Sequence, residues 1–391
     1  MFTKIRELLF PPRPVSAGTV TAPATPATPA TPADVIPAAF AAPVADAPAG
    51  IAVASTDEAP AAPDRDTGNR VGAAAPDTDA VAAWDASDST PAERHAAPVV
   101  TRAIDASVDG LTAVLRHRIE SLLADVLDAD ARQLLESIAA APTAAIRQLP
   151  AAAQRALALT QRAEPPIAEL TVVFEEDPTL AQALLTQANS SMYGGGRSVL
   201  SVRDALQRLG VSAARNVLMG HTVSALLCRP GGKYAQMVDD VWQHMVRTAP
   251  IARRIASAFN ADAEEAFGLG LLHDVGKLVI FDRLTTLRIE QRRELVIPPA
   301  DLRMILRMLH EPLGGLAAHN WNLGDAAAAA VATHHRDPVP KLRDALSEVL
   351  CVAEAADISS IRGEDFDLAS TWDRAVLAGS AIRVERALMA A

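Results

Sequence analysis

The 391-residue chain carries 36 Lys and Arg against 47 Asp and Glu, for a net charge of -11; half its residues are hydrophobic and only 4% aromatic. An acidic chain without a basic stripe argues against a nucleic-acid partner gripped through its phosphates. Two cysteines, Cys228 and Cys351, are too few for a disulfide framework and suit a reducing cytoplasm, and no apolar run approaches the ~20 residues that span a bilayer.

Residues 1–100 are dominated by Ala, Pro, Thr and Asp and include the repeat Ala24-Thr25-Pro26-Ala27-Thr28-Pro29-Ala30-Thr31-Pro32. Proline fixes φ and removes a donor, and large core side chains are nearly absent, so an extended, disordered linker is expected. At its start Phe2, Ile5, Leu8 and Leu9 surround Lys4 and Arg6 before Pro11-Pro12. This is either a short amphipathic peptide for a partner or membrane surface, or a frayed terminus with a chance pattern. It shows no clear cleavage site, and a signal peptide is not expected.

From Ile104 the period turns helical. Ile104, Val108, Leu111, Leu115, Ile119, Leu122 and Val126 form one apolar stripe. A second helix is expected over 131–140, stopped by Pro142, so that 101–141 forms a helical hairpin or brace that either dimerises or packs within the chain. The main domain is expected over 142–391, divided into an N-terminal helical lobe (142–227) and a second lobe (228–391). In the first lobe Asp177-Pro178 reads as a helix N-cap followed by Pro at the first helical position. Gly194-Gly195-Gly196 reads as a loop, Gly210 closes the helix marked by Val202, Leu206 and Leu209, and Pro230-Gly231-Gly232 is a hinge. The next helix carries Val241, Met245, Ile251 and Ile255. Asp262-Ala263-Glu264-Glu265 reads as a capping box, starting the helix that delivers His273 and Asp274. Asp325 is expected to cap a helix over 326–335. No alternating strand pattern occurs, so the fold is expected to be all-α.

The dyad His273-Asp274, in the apolar run Leu271-Leu272-His273-Asp274-Val275-Gly276-Lys277, is the strongest chemical signal. Buried and unpaired, such groups would each cost several kcal/mol by order of magnitude. They imply a shared pocket with His244 upstream and His310, His334, His335 and Asp357 downstream, with Asp240 on the same helical face as His244. His319 competes with His310 for the inward position. A mixed His/carboxylate set suits one or two ions of Fe, Mn, Zn or Mg, and two ions can activate water and hold a phosphate oxygen. Lys277 is placed to reach such a phosphate, making Lys277 and Asp274 the candidate catalytic pair. The plainer alternative is a metal-free, hydrogen-bonded core network. His221 and His117 read as ordinary surface or interface histidines, and Trp242 and Trp321 as core.

The order His244, His273-Asp274, Asp357 resembles the H…HD…D pattern of the HD phosphohydrolase superfamily. More closely, the chain resembles the bacterial HDOD domain. The likeness runs through Asp177-Pro178-Thr179-Leu180, Leu184-Leu185 with Ala188-Asn189-Ser190, Ala205-Leu206 with Leu209-Gly210-Val211, and Trp242-Gln243-His244. It continues through Gly270-Leu271-Leu272-His273-Asp274-Val275-Gly276-Lys277, His310 with Gly314, Trp321-Asn322-Leu323, and His334-His335. It covers about residues 145 to 360 and is specific as an ordered set. The resemblance implies a two-lobed helical domain with an HD-like C-terminal lobe, used in bacterial signal transduction through protein partners. It also implies the ligand positions of the related HD-GYP phosphodiesterases at His244, His273, Asp274, His310, His334, His335 and Asp357. After His335, Arg336-Asp337-Pro338-Val339-Pro340 departs from the motif those enzymes place around a cyclic dinucleotide. The expectation is therefore a regulatory, metal-binding cytoplasmic protein, with a metal-dependent phosphohydrolase acting on a nucleotide or cyclic dinucleotide as the alternative. A homodimer is compatible with either.

Overall fold

A computed structural model of the chain describes residues 105–194, 197–229, 231–335, 344–375 and 377–389. The linker and terminal peptide expected up to residue 100, Ile104, two glycines of the Gly194-Gly195-Gly196 loop, Pro230 and the stretch after His335 lie outside the described residues. All regular structure among the described residues is helical. None of these helices is long and apolar enough to cross a membrane.

Helix α1 (Val108–Asp125) buries the predicted stripe Leu111, Leu115, Ile119 and Leu122, and the Ser107 side chain caps it by accepting from the Gly110 amide. Asp128 caps α2 (Ala129–Ala140) in the same way, a type of bond worth roughly 1 kcal/mol. The hairpin packs within the chain. Leu111 lies so close to Gly315 that a Cβ there would sit 2.8 Å from its Cδ1. The N-terminal helices are α3 (Ala151–Thr160), α4 (Ile167–Glu175), α5 (Pro178–Ala188) and α6 (Val202–Leu227). As the sequence predicts, Asp177 caps α5 through the Thr179 and Leu180 amides, with Pro178 at the first position. Gly210, at φ 76°, breaks the helical path of α6, which resumes at once in a new direction.

The remaining helices are α7 (Ala235–Ile255), a 3-10 turn (Ala256–Phe259), α8 (Ala263–Gly270), α9 (Val275–Gln291), α10 (Pro299–Asn320), α11 (Asp325–Ala332), α12 (Ala345–Arg362), α13 (Leu368–Ala375) and α14 (Ala381–Met389). The Asp262 carboxylate accepts from the Glu265 amide at 2.8 Å, half of the expected capping box. Asp325 does not cap α11; it is the first helical residue, and Gly324 at φ 98° occupies the cap. Only glycine enters that conformation without strain.

Two apolar cores form. The larger unites α1 to α6 with the first half of α7, α9 and α10. The smaller gathers the end of α7, the 3-10 turn and residues of α8 and α11 to α14. The histidines and acids singled out above fall where α7 to α12 meet.

Candidate metal centre

The dyad is not inside a continuous helix. Helix α8 ends at Gly270, residues 271–274 form a turn, and α9 begins at Val275. Successive i to i+3 bonds, from the Leu272 amide to the Leu269 carbonyl and from Val275 to Leu272, tighten this corner. Consecutive residues on a helix diverge by about 100°; in the turn, His273 and Asp274 project into one pocket. Asp274 occupies the N-cap position of α9 but caps nothing with its side chain.

Glycines bring the walls close. A Cβ on Gly270 would lie 2.8 Å from Ala249 Cα in α7, and one on Gly276 only 1.9 Å from the His310 carbonyl oxygen in α10. A Cβ on Gly314 would meet Val331 of α11 at 2.7 Å. Each contact sets helix backbones side by side at the level of the dyad.

Asp274 is the hub. Its Oδ2 lies 3.4 Å from His273 Nε2 and 3.7 Å from His244 Nε2. Its Oδ1 lies 3.7 Å from both His310 Nε2 and His334 Nε2. Two groups of potential ligands result: His244, His273, Asp274 and Glu354; and Asp274, His310, His334 and His335, with donor atoms in each group within 4.8 Å of one another. Two nitrogens each about 2.1 Å from one ion at a tetrahedral angle lie about 3.4 Å apart, the spacing seen here. One carboxylate oxygen thus faces each group.

The outer contacts of the imidazoles fix their tautomers. His273 Nδ1 donates to the Gly270 carbonyl at 2.8 Å, His310 Nδ1 to Leu306 at 2.8 Å and His334 Nδ1 to Val331 at 2.6 Å. A carbonyl can only accept, so each neutral ring carries its proton on Nδ1 and turns a bare Nε2 lone pair into the pocket. His244 Nδ1 faces Asp357 Oδ2 at 2.6 Å, while its Nε2 lies 3.2 Å from His273 Nε2. Lone pairs facing one another repel unless a cation or a proton lies between them.

Burial and charge sharpen this. His244, His273, Asp274, His310, His334 and Asp357 are fully buried, and Lys277 nearly so. Two buried atoms, Asp274 Oδ1 and His334 Nε2, have no hydrogen-bond partner among the described residues, and leaving such atoms bare costs about 1–3 kcal/mol each. Burial alone would raise the Asp274 carboxyl, but Lys277, with Nζ 2.8 Å away, together with His273 and His310, holds it well below the usual range. Burial, followed by the neighbouring His310 and His273, depresses His334; burial and then His334, His310 and Lys277 depress His335. A buried, histidine-rich pocket around an ionised carboxylate with bare inward lone pairs fits a divalent cation better than a self-satisfied hydrogen-bonded core.

Several placements differ from the sequence reading. Asp357 stands behind His244 rather than in either ligand group. It accepts a hydrogen bond from Nδ1 while Arg247 holds its other oxygen at 3.0 Å, and Arg247 and His244 keep its carboxyl low against the opposing effect of burial. One turn earlier on α12, Glu354 contributes the carboxylate instead. The signal was present, since Glu354 shares the apolar run Val352-Ala353-Glu354-Ala355-Ala356-Asp357 and a helical face with Asp357. Lys277 points at Asp274 from within the core and does not reach outward. Asp240 accepts from Gln236 at 2.9 Å and joins neither group. His310, not His319, turns inward; His319 meets the Ala106 carbonyl at 2.6 Å. His334 and His335 lie in the turn after α11, not within it. His221 bonds Thr179, His117 is exposed, and Trp242 and Trp321 are core.

Residues 146–337 match the HDOD domain family. An uncharacterized protein of Treponema pallidum (strain Nichols) is 27% identical over 182 residues, which are 44% of this chain and 34% of that one, so the chain spans about a third of the length of this curated relative. A solved structure from Shewanella amazonensis SB2B, named as a candidate phosphohydrolase, shares the fold at TM-score 0.50 and 19% identity over 67% of this chain and 94% of that one. An HDOD domain protein of unknown function from Geobacter sulfurreducens aligns at TM-score 0.44 and 19% identity, over 72% and 98% of the two chains. Residues 146–337, which hold the dyad and the four further residues of the two ligand groups other than Glu354, form an HDOD domain.

Proposed function

We propose that this chain is a metal-holding HDOD regulatory protein whose output is contact with a signalling partner rather than turnover. The observation that carries the metal part is the pair of fully buried, unpartnered atoms Asp274 Oδ1 and His334 Nε2 at 3.7 Å, among imidazoles of which His273, His310 and His334 send their Nδ1 protons outward to carbonyls. His244, His273 and Glu354 would hold one ion and His310, His334 and His335 a second, with Asp274 between them. Five imidazoles, two carboxylates and no thiolate favour Fe, Mn or Zn over Mg, which prefers an all-oxygen shell. When bound, such ions supply Lewis acidity to a coordinated oxygen.

The regulatory part rests on access. Six of the site residues are fully buried and Lys277 is engaged with Asp274. At the rim, His335 and Arg247 are about a third exposed, at 33% and 28%. The chain's own residues bury and orient donors far more than they present a surface to a nucleotide. The alternative, a phosphohydrolase acting on a nucleotide or cyclic dinucleotide, is favoured by the two adjacent ligand groups and by that rim.

Metal content of the anaerobically purified protein tests the first part, with His273→Ala/Asp274→Ala as control. Stoichiometric metal in the native chain and none in the control is expected, and a native chain free of metal refutes the reading. A hydrolysis screen then separates the two outputs: no turnover is expected, and turnover lost in the control establishes the enzyme instead.

A further inference from the structure

We infer that α1, which precedes the family segment, is a working part of the metal centre: Arg118 positions the outer ligand His335 through Glu311. The inference rests on the metal reading above.

The ring of His335 meets His310 Nε2 at 2.9 Å and Glu354 Oε2 at 3.4 Å, and its backbone is held from outside its own helix. Helix α11 ends at Ala332, and the Val331 carbonyl, which a continuing helix would offer to the amide of residue 335, receives His334 Nδ1 instead. The His335 amide donates to Glu311 Oε1 at 3.3 Å. Glu311 follows His310 on α10, so this one carboxylate ties together the backbones that present two ligands of the same group. Its second oxygen, Oε2, lies 3.6 Å from Arg118 Nη1. The same Arg118 nitrogen donates to the Met308 carbonyl at 2.8 Å. Glu311 is 12% and Arg118 21% exposed, so solvent screens the pair only in part. The arginine has little freedom, because Leu111 and Leu115 on the same helix are buried in the larger core, with Leu111 against Gly315 of α10.

The hold is one-sided. Arg118 and Glu311 adjoin the group formed by His310, His334 and His335. His244 is fixed by Asp357 and Arg247 on α12 and α7, and His273 by the Gly270 carbonyl. Loss of Arg118 should therefore loosen the ion held by His310, His334 and His335 and spare the one held by His244, His273 and Glu354. Partners that orient a ligand from behind typically change metal affinity 10–100-fold.

The test uses the full chain stripped with chelator and titrated with Mn²⁺ or Zn²⁺ alone, reading stoichiometry and affinity for each ion. For the native protein two ions are expected. Arg118→Ala should keep one at native affinity and bind the other at least 10-fold more weakly, with Arg118→Lys recovering part of the loss because it restores the charge beside Glu311. Glu311→Ala should match Arg118→Ala. Equal weakening of both ions, as a general loss of stability would produce, overturns the inference, as does an unchanged profile in Arg118→Ala. A native chain that binds no ion instead overturns the metal reading itself, and this inference with it.

Discussion

Replacing Asp274 by Asn tests the electrostatics of the pocket most directly, because shape is kept and only charge removed. Lys277 is 2% exposed, and its ammonium lies 2.8 Å from Asp274 Oδ2. Removing one partner of a buried ion pair costs roughly 3–5 kcal/mol. At roughly 2–4 °C per kcal/mol for domains of this order of size, Asp274→Asn should lower the Tm of the metal-free protein by about 6–20 °C. Adding Lys277→Met removes the stranded cation and should restore more than half of that loss, since apolar replacement of both partners is often close to neutral. Metal response should separate from stability. At a concentration about 100 times Kd a divalent ion adds roughly 2.7 kcal/mol to the native chain, and neither variant should show that gain. Differential scanning calorimetry with and without Mn²⁺ or Zn²⁺ reads all four quantities. A native Tm indifferent to metal, with Asp274→Asn as stable as the parent, would refute the account of Asp274 as an ionised hub.

The depressed pKa values of His334 and His335 predict the pH response. As pH falls below about 6.5, the unfolded chain takes up protons that the native imidazoles refuse, so stability present above that pH is lost as pH drops towards the lower native values. For the fully buried His334 the slope is at most about 1.4 kcal/mol per pH unit; urea titrations of the metal-free protein from pH 7.5 to 5.5 should show it, and His334→Gln should flatten it. Asp357→Asn should leave both ligand groups intact but release His244, weakening metal about 10–100-fold. Equilibrium titration would expose an unchanged affinity as evidence against that positioning role. Gly276→Ala places a Cβ where the His310 carbonyl stands, 1.9 Å away. Overpacking of this kind costs about 1–3 kcal/mol or more, measurable by chemical denaturation as a lower midpoint with the slope unchanged.

Much of the architecture was readable residue by residue. The stripe from Leu111 to Leu122, the cap and proline at Asp177-Pro178, and the break at Gly210 are local events, decided by periodicity, side-chain reach and φ, and they appear where the chain itself places them. The chemical identity of the pocket was legible for the same reason: histidines and acids in apolar runs have few alternatives to one another once buried. What local rules could not supply was rotation. Whether Glu354 or Asp357 faces the ions, and whether His310 or His319 turns inward, depends on how α10 and α12 roll against their neighbours. That roll is set by close contacts with distant elements, such as Gly276 on the His310 backbone and Gly314 on the Val331 side chain. The corner at Leu271 to Asp274 belongs with these. Apolar spacing reads as continuous helix across it, and the close seat of Gly270 on α7, more than thirty positions from the other end of the pocket in α10, turns the chain there. Helical period tells which side of a rod is greasy; only the packed rods decide which atom of each side chain meets which.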